Sequence, residues 1–407
     1  MVKKIVAIVF IFICICIAWA ILGGTLLVRT DSQDGNLRSS VSKIWGSQQL
    51  QKAPQLQYYT QSTNWMESTE GSKVIRRSEL VNTPTIIPLD GSNIQVKLNL
   101  EPRRKGLLWY PTYKVNFNGK YKVSNPVQEP RHFTARFELP VAGAKYDEFS
   151  VKIGNIEQPL VIGSDGVVEI GMDLSPGQNE TFQIQYQSQG LERWGYWFGD
   201  NVKQVKDFHL KVMTDFVQVD YPDDAMSPTS KNNSDSGMIL NWDYQNLLSG
   251  VQIGITMPEK INPGPWASRV IFMAPVALFL FFFMVFIFST MKEVKLHPMH
   301  YFFLGVSFFS FHLLLAYLVD HISVEWALVI CSLMSLGLVL SYMGRVTTKQ
   351  FTLRYVAPSQ LAYLILFSYT FFLKGFTGLA ITILCILTLF LVMMVTAKVD
   401  WEKVMAK

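Results

Sequence analysis

The chain has 407 residues, of which 49% are hydrophobic and 16% charged, and this composition excludes a simple soluble protein. Its net charge of +5 conceals two unlike parts: residues 30–268 hold 23 basic and 26 acidic residues, and the rest holds 13 and 5. The basic excess is therefore interspersed among apolar segments, which argues against a nucleic-acid partner.

Six apolar stretches reach or approach the roughly 20 residues that a helix needs to cross a bilayer. None of them contains Asp or Glu, and charged residues flank them. We therefore predict six transmembrane helices, at residues 5–28, 270–291, 301–319, 326–344, 355–373 and 375–397.

The first stretch is much longer than the apolar part of a signal peptide, so we expect an uncleaved anchor. Lysine and arginine accumulate at the helix ends that lie on one side of the membrane, for example at Lys3 and Arg345. The predicted outer turn 320–325 contains neither residue type. The positive-inside rule then puts both termini in the cytoplasm. The predicted parts are an anchor at 1–29, a periplasmic domain at 30–268, a five-helix bundle at 269–397 and a cytoplasmic tail at 398–407.

The predicted periplasmic domain begins with a short amphipathic helix within residues 30–52, after which the apolar period changes to two. Residues 113–117 show this alternation, and they precede a turn signal at Asn118 and Gly119. We expect an antiparallel β-sandwich with an exposed loop at 223–237. The fold class is thus an α-plus-β membrane protein with a sandwich-like domain inserted between helices 1 and 2. One sandwich and two packed sandwiches both remain open.

The positions of the cysteines help to identify the cellular compartment of the outer domain. All four cysteines, Cys14, Cys16, Cys331 and Cys385, lie in predicted membrane helices, so the outer domain has no disulfide. A disulfide-free domain of this size is common in a bacterial periplasm, whereas animal ectodomains more often contain disulfides. We therefore expect a bacterial inner membrane.

Familiar catalytic motifs do not occur in this sequence. It contains no G-x-S-x-G, H-E-x-x-H, Walker or G-x-G-x-x-G pattern, so we expect no enzyme and no cofactor. Only His132 and His209 lie in the outer domain, which argues against a histidine zinc site. Four aspartates could bind a hard cation, although solvated acidic turns are commoner. These are Asp220, Asp223, Asp224 and Asp235.

Two further features of the outer domain admit a binding interpretation. Trp194, Tyr196 and Phe198 alternate along one strand face and could stack on a sugar or peptide, but a sandwich core explains them more simply. The basic run 103–105 could contact anionic lipid or wall polymer, although most such runs are only solvated.

Histidines are the informative residues of the predicted bundle, because ionisable groups in membranes are rare and often functional. His297, Pro298 and His300 open the third helix at the cytoplasmic interface, and Pro298 suits a first helical turn. His312 lies deeper and has no acidic partner within any span, so we favour a neutral, hydrogen-bonded histidine over a proton path. These four residues are the candidate functional residues. Close packing of the fourth helix is predicted from Ser332, Ser335, Gly337, Ser341 and Gly344.

A distinctive pattern begins at the start of the third helix and consists of Leu296, His297, Pro298, Met299, Tyr301, Gly305, Ser307, Asp320 and His321, with Asp400 and Trp401 near the end. These residues resemble the CreD inner-membrane family. Patches at 44–54 and 102–119 agree, whereas residues 200–265 depart from the family pattern. The resemblance implies a bacterial inner-membrane protein with a role in envelope homeostasis, including colicin tolerance. It implies no established reaction and no catalytic residues.

Three functions remain open from the sequence. The leading one is a non-enzymatic envelope-integrity protein, held in the lipid bilayer, whose periplasmic domain contacts an envelope protein or cell-wall component. The alternative is a transporter or flippase-like protein that uses the bundle and His312. A sensor is a third, weakened because only residues 398–407 follow the last helix. The sequence leaves the oligomeric state open.

Overall fold

The computed structural model describes residues 2–70, 73–160, 162–163, 166–199, 204–248, 250–397 and 399. The predicted tail 398–407, apart from Val399, lies outside the described residues. The chain divides into a helical unit and a β-rich unit. The helical unit comprises Met1–Asn36, Gly106–Leu108 and Ile261–Lys407, and the β-rich unit comprises Leu37–Lys105 and Trp109–Lys260.

Five helices in the described part of the chain are long and apolar enough to cross a membrane. They are α1 (Val2–Ile44), α2 (Pro263–Met291), α3 (Pro298–Leu318), α4 (Val324–Val346) and a last helix, Thr377–Thr396. The predicted anchor and the short helix predicted within residues 30–52 form one helix, because α1 continues without interruption to Ile44. Its end is set by Gly46, whose φ of +143° is a conformation that favours glycine.

The predicted span 355–373 lies in a helical run of mixed type. The run consists of α-helical Lys349–Phe351, Ala357–Gln360 and Phe367–Tyr369, π-helical Thr352–Val356 and Leu361–Leu366, and 3₁₀-helical Thr370–Phe372. Because the hydrogen-bonding pattern changes along the run, no single regular helix within it reaches the length of a membrane span.

A single apolar core connects α1 with the later helices of the helical unit. Ile15, Trp19 and Leu26 of α1 are buried in the same cluster as residues of α2 and α3. A Cβ atom at Gly305 would lie 2.2 Å from Cδ1 of Ile15, so α1 and α3 approach each other closely at this glycine. The predicted anchor therefore packs as a member of the helical unit.

Close packing of α4 is confined to part of the predicted face. Ser332 and Ser335 are buried, as the small-residue pattern predicts. Gly337 and Ser341 are exposed, and a Cβ atom at Gly344 would meet no atom within 4 Å. The prediction was wrong for these three residues, because the packed face of α4 includes Cys331 and Val339 instead.

The β-rich unit contains eighteen strands in its described residues. They are β1 (Gln49–Lys52), β2 (Gln55–Glu70), β3 (Lys73–Ile87), β4 (Gly91–Leu100), β5 (Arg103–Lys105), β6 (Leu108–Tyr110), β7 (Thr112–Ser124), β8 (Arg131–Glu138), β9 (Tyr146–Ile153), β10 (Ile156–Glu157), β11 (Val167–Leu174), β12 (Asn179–Leu191), β13 (Arg193–Trp197), β14 (Val205–Thr214), β15 (Ala225–Met226), β16 (Ser230–Ser234), β17 (Gly237–Leu247) and β18 (Gln252–Thr256).

These strands form an eight-stranded sheet in the order β10-β9-β12-β7-β4-β14-β17-β16, two four-stranded sheets, β11-β8-β2-β3 and β1-β13-β18-β15, and a two-stranded sheet of β5 and β6. Most of their buried hydrophobic residues belong to one core, in which Phe117 of β7 meets Phe137 of β8 at a ring-centroid distance of 6.1 Å. Three strand pairs, β4–β14, β1–β13 and β15–β18, are parallel, so the purely antiparallel prediction is corrected.

Two local predictions also need correction. Asn118 and Gly119 lie inside β7 rather than in a turn, and a Cβ atom at Gly119 would lie 2.8 Å from the hydroxyl oxygen of Tyr121. This glycine therefore makes room for a buried ring within a strand. The predicted loop 223–237 contains β15 and the exposed edge strand β16, which pairs with β17. The polar composition of β16 is explained by its position at the edge of the sheet.

Candidate functional site

Three of the four candidate residues lie at the start of α3. His297 precedes the helix, and its Nδ1 accepts a hydrogen bond from the Met299 amide at 3.2 Å. Pro298 occupies the first helical turn, as predicted. Nδ1 of His300 lies 2.8 Å from the Tyr342 hydroxyl of α4. Two of these side chains thus stabilise a helix start or a helix contact.

His312 is 1% exposed, and its Nδ1 lies 2.9 Å from the carbonyl oxygen of Phe308. Because a carbonyl only accepts, Nδ1 carries the proton in this arrangement. The Trp19 and Phe311 rings lie nearly perpendicular to the imidazole, at centroid distances of 5.3 and 4.9 Å. Twelve helical residues, about 18 Å, separate His312 from His300, so the structure does not bring the candidate histidines together.

A polar chain inside the helical unit was missed at the level of sequence. Gln360 is completely buried and donates a hydrogen bond to Oγ of Ser335 at 2.9 Å, and Ser335 Oγ lies 3.4 Å from the carbonyl oxygen of Ser307. Within the described residues, Gln360 Oε1 and Ser307 Oγ have no hydrogen-bond partner. π-Helical segments flank Gln360 on both sides, and such segments are frequent at functional positions. A search for polar as well as ionisable residues in the span would have found Gln360.

The aspartates considered for cation binding do not gather into a metal site. Asp224 is paired with the guanidinium of Arg193 at 2.6 Å and accepts a hydrogen bond from Gln252. Asp235 lies in the turn between β16 and β17. Among the described residues, no group of three or more histidine, cysteine or carboxylate side chains is suitably placed for a metal ion.

The aromatic row of β13 belongs to the core, as expected, and also borders a cavity. Trp194 and Tyr196 are 0% exposed and Phe198 is 4% exposed. Tyr196, Phe198 and Phe208 line one side of a cavity of about 340 Å³. The rest of the lining consists of Ala53, Pro54, Gln55, Ile86, Ile87, Pro88, Leu89, Ser92, Gln204, Val205 and Lys206. Among the described residues, Lys206 is the only charged side chain in the lining, so the cavity suits a mainly apolar ligand.

The basic run 103–105 is partly tied to its own unit. The Arg103 guanidinium lies over the Trp45 ring, 3.5 Å from the ring centroid, which is a cation–π contact. Lys105 donates a hydrogen bond to the hydroxyl of Ser40. Arg103 and Lys105 therefore have structural contacts within the β-rich unit, which account for two of the three basic residues without a ligand.

The outer face of the eight-stranded sheet is rich in polar side chains. Alternate residues of β4, β7, β12 and β14 point away from the core, and amides and lysines dominate among them. They are Asn93, Gln95, Lys97, Asn99, Lys114, Asn116, Asn118, Lys120, Lys122, Thr181, Gln183, Gln185, Gln187, Gln189, His209, Lys211 and Met213. We call this surface the amide face.

His209 lies at the border of the amide face, between two carboxylates. Its Nδ1 is 2.7 Å from Asp243, and its Nε2 is 3.1 Å from Asp207. The hydrogen bond to Asp243, reinforced by the bond to Asp207, raises the pKa of His209 above 6.5 against the opposing effect of burial. Lys122 and His209 together lower the pKa of Asp207.

The fold and these surfaces define a class: a helical membrane protein with a large β-rich unit inserted between its first and second long helices. The family model described as "Inner membrane protein CreD" matches residues 228–402 and confirms the resemblance there. The expected departure of residues 200–265 is wrong from residue 228 onwards. The first helix and the patches at 44–54 and 102–119 lie outside the match.

None of the curated proteins compared with this chain matches it significantly. Among solved structures, a candidate nutrient binding protein from Legionella pneumophila is 9% identical, with 47% of this chain and 73% of that chain covered and a TM-score of 0.31. An M1 zinc metallopeptidase from Deinococcus radiodurans is 10% identical, with 42% of each chain covered and a TM-score of 0.26. Likenesses this weak support no conclusion about fold or function.

Proposed function

We propose that this chain is a CreD-like bacterial inner-membrane protein that contributes to cell-envelope integrity or stress tolerance without catalysing a reaction. The helical unit holds it in the lipid bilayer through the five long helices and a sixth crossing by the mixed helical run from Lys349 to Phe372, so both termini lie in the cytoplasm. The β-rich unit lies in the periplasm and binds another envelope component.

The observation that carries the proposal is the surface of the β-rich unit. This unit combines an apolar cavity of about 340 Å³ with the amide face, and both features suit non-covalent recognition. The family match adds the inner-membrane location.

A deletion strain tests the role in the envelope. We expect deletion to lower tolerance to colicin and to wall-active antibiotics, and the wild-type chain to restore it. Ala53→Trp, which fills the cavity, should restore tolerance poorly at equal membrane abundance. The matched control is Ala142→Trp at an exposed position, which should restore it fully. Unchanged tolerance in the deletion strain would overturn the proposal.

Transport through the bundle predicts a different pattern in the same strain. If His312 serves transport, His312→Leu should fail to restore tolerance at normal abundance, whereas Ala53→Trp should succeed. Under our proposal His312→Leu restores tolerance whenever the protein reaches wild-type abundance, because its imidazole only bonds within its own helix.

Topology can be tested separately with single cysteines introduced into a chain that lacks its native four. We expect Ser230→Cys, on exposed β16, to react with an impermeant maleimide in intact cells. Lys349→Cys should react only after the membrane is permeabilised. Labelling of Lys349→Cys in intact cells would contradict the proposed orientation.

A further inference from the structure

Residues 30–268 of the chain carry more acidic than basic residues. The seventeen positions of the amide face include no acidic residue, since Asp207, which precedes His209 in the same alternation of β14, is counted with its border. Nine of these positions are Asn or Gln and five are Lys. Carboxylates surround it at the border. They are Glu101 on Lys114, Asp207 on Lys122, Asp243 beside His209, Glu148 on Gln187 and Asp215 near Asn99. The central part of the face is thus polar and positively charged.

The strand register arranges these side chains in rows across the sheet. In the central row, Lys211 of β14 lies beside Gln95, Gln95 beside Asn118, and Asn118 beside Gln185. Neighbouring strands are about 4.8 Å apart, so the row presents hydrogen-bonding groups at regular short intervals. Such a flat array suits an extended chain better than a compact small molecule.

Three lysines surround the centre of the array. Lys211 is in the central row, Lys97 follows Gln95 two residues along β4, and Lys120 follows Asn118 two residues along β7. None of the three has an ion-pair partner within the described residues. Three uncompensated ammonium groups on one face attract an anionic partner.

The amides supply a second kind of recognition. Gln183 donates a hydrogen bond to Asn118 at 2.8 Å, which orients that pair. In the described structure Gln95, Asn116 and Gln185 make no side-chain hydrogen bond, so their donors and acceptors remain available to a ligand. An amide offers two donors and one acceptor oxygen, and a sugar hydroxyl can both donate and accept. Amides and lysines together therefore match a glycan that carries negative charges.

We propose that the amide face binds an anionic glycan, a chain of sugars bearing carboxylate or phosphate groups. This proposal rests on the proposed function only in placing the β-rich unit among envelope polymers. Many weak contacts along a repeating chain would supply the affinity, and the lysine contribution would weaken with salt.

Binding to the purified full-length protein in nanodiscs of zwitterionic lipid tests the proposal. Oligogalacturonate presents carboxylates, phosphomannan presents phosphates, and a malto-oligosaccharide of equal length is neutral. We expect at least one charged glycan to bind ten-fold or more tighter than the neutral one. The better of the two identifies which anionic group is preferred.

Two sets of variants separate charge from amide recognition. The triple variant Lys97→Gln, Lys120→Gln, Lys211→Gln should bind the charged glycan about ten-fold more weakly. The same change at Lys43, Lys231 and Lys260, which are exposed but outside the amide face, should have little effect. Gln95→Ala with Gln185→Ala should weaken binding several-fold without changing the charge.

Three results would overturn the proposal. One is no binding of either charged glycan. Another is an equal loss in the two lysine triples, which would mean that the protein responds only to net charge. The third is equal binding of polyglutamate, unaffected by Gln95→Ala and Gln185→Ala, which would identify an acidic polypeptide as the partner. Because these measurements use purified protein, they can fail while the envelope phenotype of the deletion strain persists, and the reverse also holds.

Discussion

The helical unit and the β-rich unit differ in where many of their polar side chains form hydrogen bonds. In the helical unit, Ser332 and His312 each bond to the carbonyl oxygen four residues earlier, at 2.6 and 2.9 Å. In the β-rich unit, polar groups bond between strands, as from Gln183 to Asn118. A bilayer offers no water to a side chain, whereas a solvated sheet leaves its groups available. The difference indicates that recognition is to be sought first on the β-rich unit.

An ion pair of the helical unit is also less exposed than one of the β-rich unit. Arg29 and Asp320 of the helical unit form a pair at 2.8 Å, with Asp320 only 9% exposed. Lys122 and Asp207 of the β-rich unit are 64% and 47% exposed. Exposed pairs contribute little to stability, whereas a partly buried carboxylate depends on its partner.

The largest expected effect tests whether the two apolar cores are separate. Phe117 is 1% exposed and stacks on Tyr186 at a centroid distance of 4.9 Å. Phe117→Ala should destabilise the β-rich unit by about 3–5 kcal/mol, because it removes a ring and leaves a cavity. Hydrogen exchange of the full-length protein should rise throughout that unit and remain unchanged in α2 and α3. Tyr59→Ala, at a half-exposed position, is the control and should change little. Faster exchange in both units would show that the cores unfold together.

Local patterns in the sequence predicted much of both units. The alternation at 113–117 marks a strand whose Tyr113, Val115 and Phe117 are buried, and the apolar runs mark helices. The patterns could not reveal which strands pair, so the parallel β4–β14 contact was missed. The turn predicted at Asn118 and Gly119 was also wrong. From sequence alone, a glycine that makes room for a buried ring cannot be distinguished from a glycine in a turn.

A smaller effect is expected at the ion pair of the helical unit. Asp320→Asn removes the charge that meets Arg29 and should cost about 1–3 kcal/mol, because a charge-assisted hydrogen bond is lost at a mostly buried carboxylate. Thermal unfolding in detergent should show a lower midpoint for the helical unit. Glu325→Gln, at an exposed position nearby in sequence, is the matched control. An equal shift in both variants would mean that the pair has no special role.

The candidate site was less predictable than the fold. His312 was found because an ionisable residue in an apolar run is conspicuous, and its hydrogen bond within one helix could be expected. The chain from Gln360 through Ser335 to Ser307 joins three helical segments, and only the tertiary structure reveals it. The amide face was missed for a similar reason, since its residues come from four strands and form a surface only when the register is known.

The smallest expected effect concerns His209, the ionisable residue at the border of the amide face. Its hydrogen bonds to Asp243 and Asp207 favour the protonated imidazole, so its pKa in the folded chain lies above 6.5. A pKa that is higher in the folded than in the unfolded state stabilises the protein at pH values below the unfolded pKa. This contribution is lost as the pH rises through the folded pKa. We expect it to be small, because the imidazole is 45% exposed.

NMR of histidine-labelled full-length protein measures this titration directly, with His209→Gln assigning the signal. Asp243→Asn should lower the pKa of His209 towards 6.5, because it removes the strongest interaction with the imidazolium. Asp173→Asn, which removes the carboxylate beside His132, should leave the His209 signal unchanged. A wild-type His209 that titrates at or below 6.5 would show that solvent screens both carboxylates. The border of the amide face would then carry more negative charge at neutral pH, and an anionic glycan should bind only at its lysine-rich centre.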